Sequence, residues 1–156
     1  MLLVQCRLND TFITEFSKLA PFIQSLVNID LSSNHCLPSL SSFLSSYPRI
    51  RSLSLSKMHC DVISNSLSLS PSITHLDLSY CLRTFDQLLS LANSPCLCTL
   101  YYLNLKSCHV SSHGFRVLAL SFNLRNLKVL ILRNNQISDI KHVSDEDIDM
   151  DKIMKL

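Results

Sequence analysis

Cysteines and aspartates are the residues in this chain whose spacing comes closest to chemistry. Cys96 and Cys98 are separated by one residue. Zinc sites are usually built from thiolate pairs two to four residues apart, so this pair is too tight for a zinc knuckle and is read as structural, at the entrance to a strand. Asp145, Asp147 and Asp149 imitate the first half of a calcium loop. The central glycine and closing glutamate that such a loop needs are missing, which leaves a solvated or capping acidic turn. Ser144-Asp145-Glu146-Asp147 has the character of an acid-directed kinase site, against the plainer reading of a helix cap. His-Glu-x-x-His, a phosphate-cradling glycine loop, a nucleophile elbow and a Cys-x-x-Cys pair are all absent from the sequence. No catalytic residue, metal ligand or cofactor is therefore assigned, no small-molecule substrate is expected, and the chain reads as a non-enzyme.

The remaining thiols fit the same view. Cys6, Cys36, Cys60, Cys81, Cys96, Cys98 and Cys108 are odd in number, and a chain of 156 residues needs no disulfide framework to fold. Reduced, buried cysteines are the expectation, in a cytoplasmic or alternatively nuclear setting. The formal charge is +2, but residues 145–151 hold five of the twelve acids, so residues 1–144 carry twelve bases against seven acids. That excess falls short of the basic stripe of a nucleic-acid binder. Met1-Leu2-Leu3-Val4 is interrupted by Gln5, Arg7, Asn9 and Asp10 before a signal-peptide core can form, and is read as the mature start. No run of 18 apolar residues is present to span a membrane. Asn9-Asp10-Thr11 matches a glycosylation sequon and carries little weight without a signal peptide.

The elements that must position any site follow from internal repetition. Leu100 to Val110 reads L-x-x-L-x-L-x-x-C-x-V, and the pattern returns at Leu127 to Ile137, Ile73 to Cys81 and Leu26 to Cys36. Taking the fourth position as the mark, the anchors are Val4, Ile29, Leu53, Leu76, Leu103 and Leu130, spaced by 25, 24, 23, 27 and 27 residues. Asn9, Asn34, Cys81, Cys108 and Asn135 each follow an anchor by five; Met58 breaks the series. In L-x-L the side chains alternate across a short strand, so Leu103 and Leu105 face one side while Tyr102, Asn104 and Lys106 face the other. The chain must then turn, and a buried Asn can satisfy the turn's peptide groups, stacked on the Asn of the next coil, with Cys filling the slot as a weaker donor.

Between strands the period changes to that of a helix. Thr84-Phe85-Asp86-Gln87 is a capping box, followed by an apolar face of Phe85, Leu88, Leu89 and Ala92. Phe115, Leu118, Ala119 and Phe122 repeat this, as do Phe12, Phe16 and Leu19 before Pro21, and Leu40, Phe43 and Leu44 between Pro38 and Pro48. Asp61 to Ser72 has no such face and predicts an irregular or single-turn return. Ser144 to Leu156 predicts a helical cap over the last coil, its acids in the first turn.

These residues resemble leucine-rich repeats over about residues 1–140. The helical returns, the Cys-for-Asn exchange and the Cys108 to Phe115 junction are similar to the ribonuclease-inhibitor-like and cysteine-containing intracellular classes, and a single glycine argues against the plant receptor class. The resemblance implies an α/β solenoid of about six repeats, with short parallel strands on the concave face and helices or irregular returns on the convex face. Residues 141–156 are expected to form an acidic C-terminal cap or tail. The resemblance also implies protein recognition. Some relatives of this fold activate small GTPases, but no residue pattern here carries that activity over.

If the strands stack in register, three outward columns form. They are Leu3, Asn28, Ser52, His75, Tyr102, Val129; Gln5, Asp30, Ser54, Asp77, Asn104, Ile131; and Arg7, Ser32, Ser56, Ser79, Lys106, Arg133. The middle is small and hydroxylated. The C-terminal third brings together His75, Asp77, Tyr102, Asn104, Lys106, Ile131 and Arg133, and Tyr and Arg are favoured interface anchors. A protein partner is expected there. The alternative is a structural segment of a larger repeat protein or assembly, whose bare apolar N-terminal coil another part covers.

Overall fold

The computed structural model describes residues 1–35, 37–58 and 72–138. Five strands of three residues, β1 (Asn28–Asp30), β2 (Ser52–Ser54), β3 (His75–Asp77), β4 (Tyr102–Asn104) and β5 (Val129–Ile131), pair in the order β1-β2-β3-β4-β5. Every pairing is parallel, and the register aligns Ile29, Leu53, Leu76, Leu103 and Leu130 across the sheet. The first four of these central residues point inward and are buried. So are Leu31, Leu55, Leu78 and Leu105 two residues on, and Leu26, Ile50, Ile73, Leu100 and Leu127 three residues before. Parallel strands need a crossover to return the chain, and the core fills the space between the sheet and those crossovers.

Each strand ends in the same turn. Gln5, Ser33, Lys57, Tyr80, Ser107 and Asn134 all adopt left-handed backbone with φ of 54 to 63°. They stand 28, 24, 23, 27 and 27 residues apart. Left-handed φ reverses the chain tightly, and the next slot satisfies the peptide groups exposed by the reversal. Asn34 Nδ2 donates to Leu31 O at 2.8 Å and to Leu3 O, one coil back, at 2.6 Å, while its Oδ1 accepts Leu8 N at 3.0 Å. Asn135 repeats this with Leu132 O, Leu105 O, Cys108 N and Val110 N. Cys81 Sγ donates to Leu55 O at 2.9 Å and Cys108 Sγ to Leu78 O at 3.1 Å. The slot therefore bonds the backbone of the preceding coil; the expected side-chain stack of Asn on Asn is not how it works.

Among the described residues four helices return the chain: α1 (Asp10–Ser17), α2 (Leu40–Ser46), α3 (Phe85–Ala92) and α4 (Ser112–Leu120). The Thr84 hydroxyl accepts Gln87 N and the Gln87 side chain accepts Thr84 N, so the expected capping box is present. Asn9 and Ser111 cap α1 and α4 through Phe12 N and Gly114 N. Short 3-10 turns, Pro95–Thr99 and Phe122–Leu124, lead into β4 and β5, and the first carries Cys96 and Cys98, both partly exposed.

Some apolar faces are rotated from expectation. In α3 the buried apolar residues are Leu88, Leu91 and Ala92, whereas Phe85 and Leu89 are exposed, Phe85 stacking on His113 of α4 at 5.0 Å. In α1 the buried residue is Ile13, and Phe12 and Leu19 lie at the surface. Phe122 is exposed under the guanidinium of Arg125, 4.2 Å from its ring centre. In α2 Leu40, Phe43 and Leu44 are buried as expected, and Phe43 and Tyr47 join Phe16 in an aromatic cluster with ring separations of 5.0 to 5.8 Å.

The first coil corrects the sequence reading. Leu2, not Gln5, bridges Asp30, and Leu3 N donates to Asp30 O. That moves the register mark from Val4 to Met1, and Val4 is exposed. Cys6, rather than Asn9, then occupies the Asn/Cys slot, its thiol donating to Val4 O as Cys81 does to Ser79 O. The left-handed Gln5 and the cap Asn9 fall where Ser107 and Ser111 fall in the fifth coil. The predicted return over Asp61 to Ser72 falls almost entirely, and the C-terminal cap wholly, outside the described residues. Among the described residues no helix is long and apolar enough to cross a membrane.

Candidate functional site

The open face of the sheet is set by the strand alternation. In β1 to β4 the central residue is buried while its neighbours are exposed or half-buried. The register places Asn28, Ser52, His75, Tyr102 and Val129 in one row and Asp30, Ser54, Asp77, Asn104 and Ile131 in the next. Five of the seven expected contact residues, His75, Asp77, Tyr102, Asn104 and Ile131, thus lie on adjoining strands β3 to β5, with Lys106 and Arg133 just beyond the ends of β4 and β5. Arg7, expected in the third column, lies in the re-registered first coil and is not in line with it.

The seven are not equivalent. Asp77 Oδ1 accepts Ser79 N at 2.8 Å and its Oδ2 accepts Asn104 Nδ2 at 3.1 Å, while Asn104 Oδ1 accepts Lys106 N at 3.0 Å. Asp30 makes the same local bond to Ser32 N. These side chains fasten the strand ends, because a carboxylate or amide two residues before a turn can take the peptide N–H that the turn exposes. His75 stacks against Tyr102 at 5.8 Å and 20° and lies 5.9 Å from Tyr101, and its Nδ1 is 2.9 Å from the Thr74 hydroxyl. Burial and the Asp77 charge push the Tyr102 phenol above its ordinary pKa. Toward β1 the surface is a hydroxyl mesh, Ser32 to Ser54 at 2.7 Å and Ser79 to Ser56 at 2.8 Å.

Sequence reasoning missed a cationic cluster at the edge of this face. Tyr80, in the turn after β3, has the ammonium of Lys57 5.6 Å and that of Lys106 5.5 Å from its ring centre. Both distances are within cation–π range. The side chains of Ser107 and Lys106 beside the phenol oxygen, and the lysine charges, lower the Tyr80 pKa. Tyr80 also has φ of 63°, where a bulky residue is an outlier and Asn or Gly is at home. The signal was available: Lys57 and Tyr80 each follow their anchors, Leu53 and Leu76, by four residues.

A second concavity of about 670 Å³ lies between the ends of α1 and α2, lined by Ser17, Lys18, Pro21, Ser46, Tyr47 and Arg49 among others. The Tyr47 hydroxyl donates to Phe16 O and Lys18 pairs with Glu15, so little in it is directed at a ligand. Among the described residues no three His, Cys, Asp or Glu side chains converge on a metal-sized position.

No protein-family model matches this chain, and no curated protein matches it.

Proposed function

We propose that the chain is a leucine-rich-repeat solenoid of about six coils and that its concave sheet face binds a protein partner without catalysis. The observation that carries this reading is the in-register row His75, Tyr102, Val129 beside Asp77, Asn104, Ile131. It sets stacked aromatics and half-buried aliphatic side chains on an open face, with Lys106 and Arg133 at its edge. Large flat side chains with few rotamers, flanked by apolar contacts, make interface anchors. Asp77 and Asn104 serve this surface by holding its strand ends, and Tyr102 and Arg133 are its anchors. The proposed setting is cytoplasmic, with no cofactor, nucleic acid or membrane involved.

The test is Tyr102→Ala with Arg133→Ala. Proteins captured by the wild-type chain and lost by the variant are identified, purified and titrated individually against both. A true partner loses at least about tenfold in affinity while circular dichroism is unchanged. Equal affinity for both chains refutes the assignment.

A further inference from the structure

We infer that the partner presents an acidic, extended segment, received at the edge of the sheet by Tyr80 between the ammonium groups of Lys57 and Lys106. This rests on reading the sheet face as a docking surface, and it names the chemistry of what docks. The three residues come from three consecutive strand ends, after β2, β3 and β4. Two cations facing one ring, 5.6 and 5.5 Å from its centre, lie no more than about 11 Å apart. An anion placed between the two would be attracted to both.

No such anion comes from the described residues. Their ion pair is Lys18 with Glu15, and the nearby Asp77 has one oxygen on Ser79 N and the other on Asn104 Nδ2. In the proposed reading the complement arrives with the partner. Its form follows from the spacing of the site. Adjacent coils are about 4.8 Å apart, and carboxylates two residues apart on an extended chain are about 6.5 Å apart. One such pair reaches both ammonium groups while the strand crosses Tyr80. The Ser107 hydroxyl beside the phenol adds a donor.

A nucleic acid would also be attracted to lysines, but it follows a longer basic track. Here three cations, Lys57, Lys106 and Arg133, stand at strand ends along one short edge of the sheet.

The experiment uses the full chain and two labelled probes, an alternating Glu-Ser peptide and a single-stranded oligothymidylate of equal charge, followed by fluorescence anisotropy at about 20 mM and about 300 mM salt. The peptide should bind the wild-type chain more tightly than the oligonucleotide and weaken with salt. Lys57→Ala with Lys106→Ala should weaken it at least about tenfold. Tyr80→Asn should weaken it too, and it suits the left-handed turn, so folding is not at stake. Lys18→Ala with Lys128→Ala removes the same charge elsewhere and should change nothing. Absent peptide binding, equal loss in that control pair, or tighter oligonucleotide binding would each overturn the inference. If the peptide fails while purified partners still depend on Tyr102 and Arg133, the docking reading stands and the acidic segment does not. If the peptide behaves as expected but partner binding ignores Tyr102 and Arg133, the docking reading is what fails.

Discussion

The thiol of Cys108 donates to the carbonyl oxygen of Leu78 at 3.1 Å, in the slot where the Asn135 amide one coil later donates to Leu105 at 2.8 Å. A cysteine here acts as a shortened asparagine. It keeps the donor that ties one coil to the coil before it and gives up the acceptor, which in Asn135 takes two peptide N–H groups.

Titration should expose that substitution. Burial pushes the Cys81 thiol from its ordinary value of 9.0 up to about 12, and raises Cys108 in the same direction. The folded chain therefore holds protons that the unfolded chain releases, so this stability is complete below about pH 9 and is lost as pH rises toward 12. The urea midpoint should hold steady up to about pH 9 and fall above it. In Cys81→Ser the hydroxyl does not titrate in that range, and the fall should be shallower. An unchanged alkaline limb in Cys81→Ser would mean that its thiolate forms without opposing the fold.

Asn34 is the fuller version of the slot, and its loss should cost more. Asn34→Ala leaves Leu3 O, Leu31 O and Leu8 N without the side chain that serves them. Unmet buried polar groups cost about 1–3 kcal/mol, so a loss of about 2–3 kcal/mol is expected in urea denaturation. Asn34→Cys, copying the third and fourth strand ends, should lose about half as much. A change within about 0.5 kcal/mol for Asn34→Ala would place it among ordinary surface substitutions.

The single glycine sits inside α4 because α3 leaves no room. A Cβ on Gly114 would stand 2.6 Å from Leu88 Cδ2 and 3.4 Å from Val110 Cγ1. Helix propensity favours alanine by about 1 kcal/mol, while overpacking costs about 1–3 kcal/mol. Gly114→Ala should therefore lower the thermal midpoint, by about 1 kcal/mol of stability. In a Leu88→Ala background the same change should raise it. The reversal of sign is the diagnostic, and a loss in both backgrounds would point to backbone strain instead.

The sheet was the part most legible in the sequence. L-x-L alternation at Ile29, Leu53, Leu76, Leu103 and Leu130 fixes which side chains face out, and turn chemistry fixes where each strand stops. The first coil misled because Met1, Leu2, Leu3 and Val4 are all apolar and any of them can serve as anchor. Cys6 and the cap Asn9 carried the deciding information. Helix faces misled for a related reason: Phe85, Leu88, Leu89 and Ala92 satisfy the helical period as well as Leu88, Leu91 and Ala92 do. Contact between α3 and α4 chooses between them. On the sheet face, residue type suggested that Asp77 and Asn104 were free to bind, whereas each is fastened to its own turn. Tyr80 went unnoticed because the columns ended one residue short of the left-handed position.

Strand order follows chain order, and each strand meets only the strands before and after it. Such a chain can change length by whole units without rethreading. A duplicated stretch of one turn-to-turn interval, 23 to 28 residues, would need fitting contacts at its two seams alone. The width of the exposed face is then a variable that evolution can alter by copying, leaving the remaining rows and the bonds of Asn34, Cys81, Cys108 and Asn135 as they are.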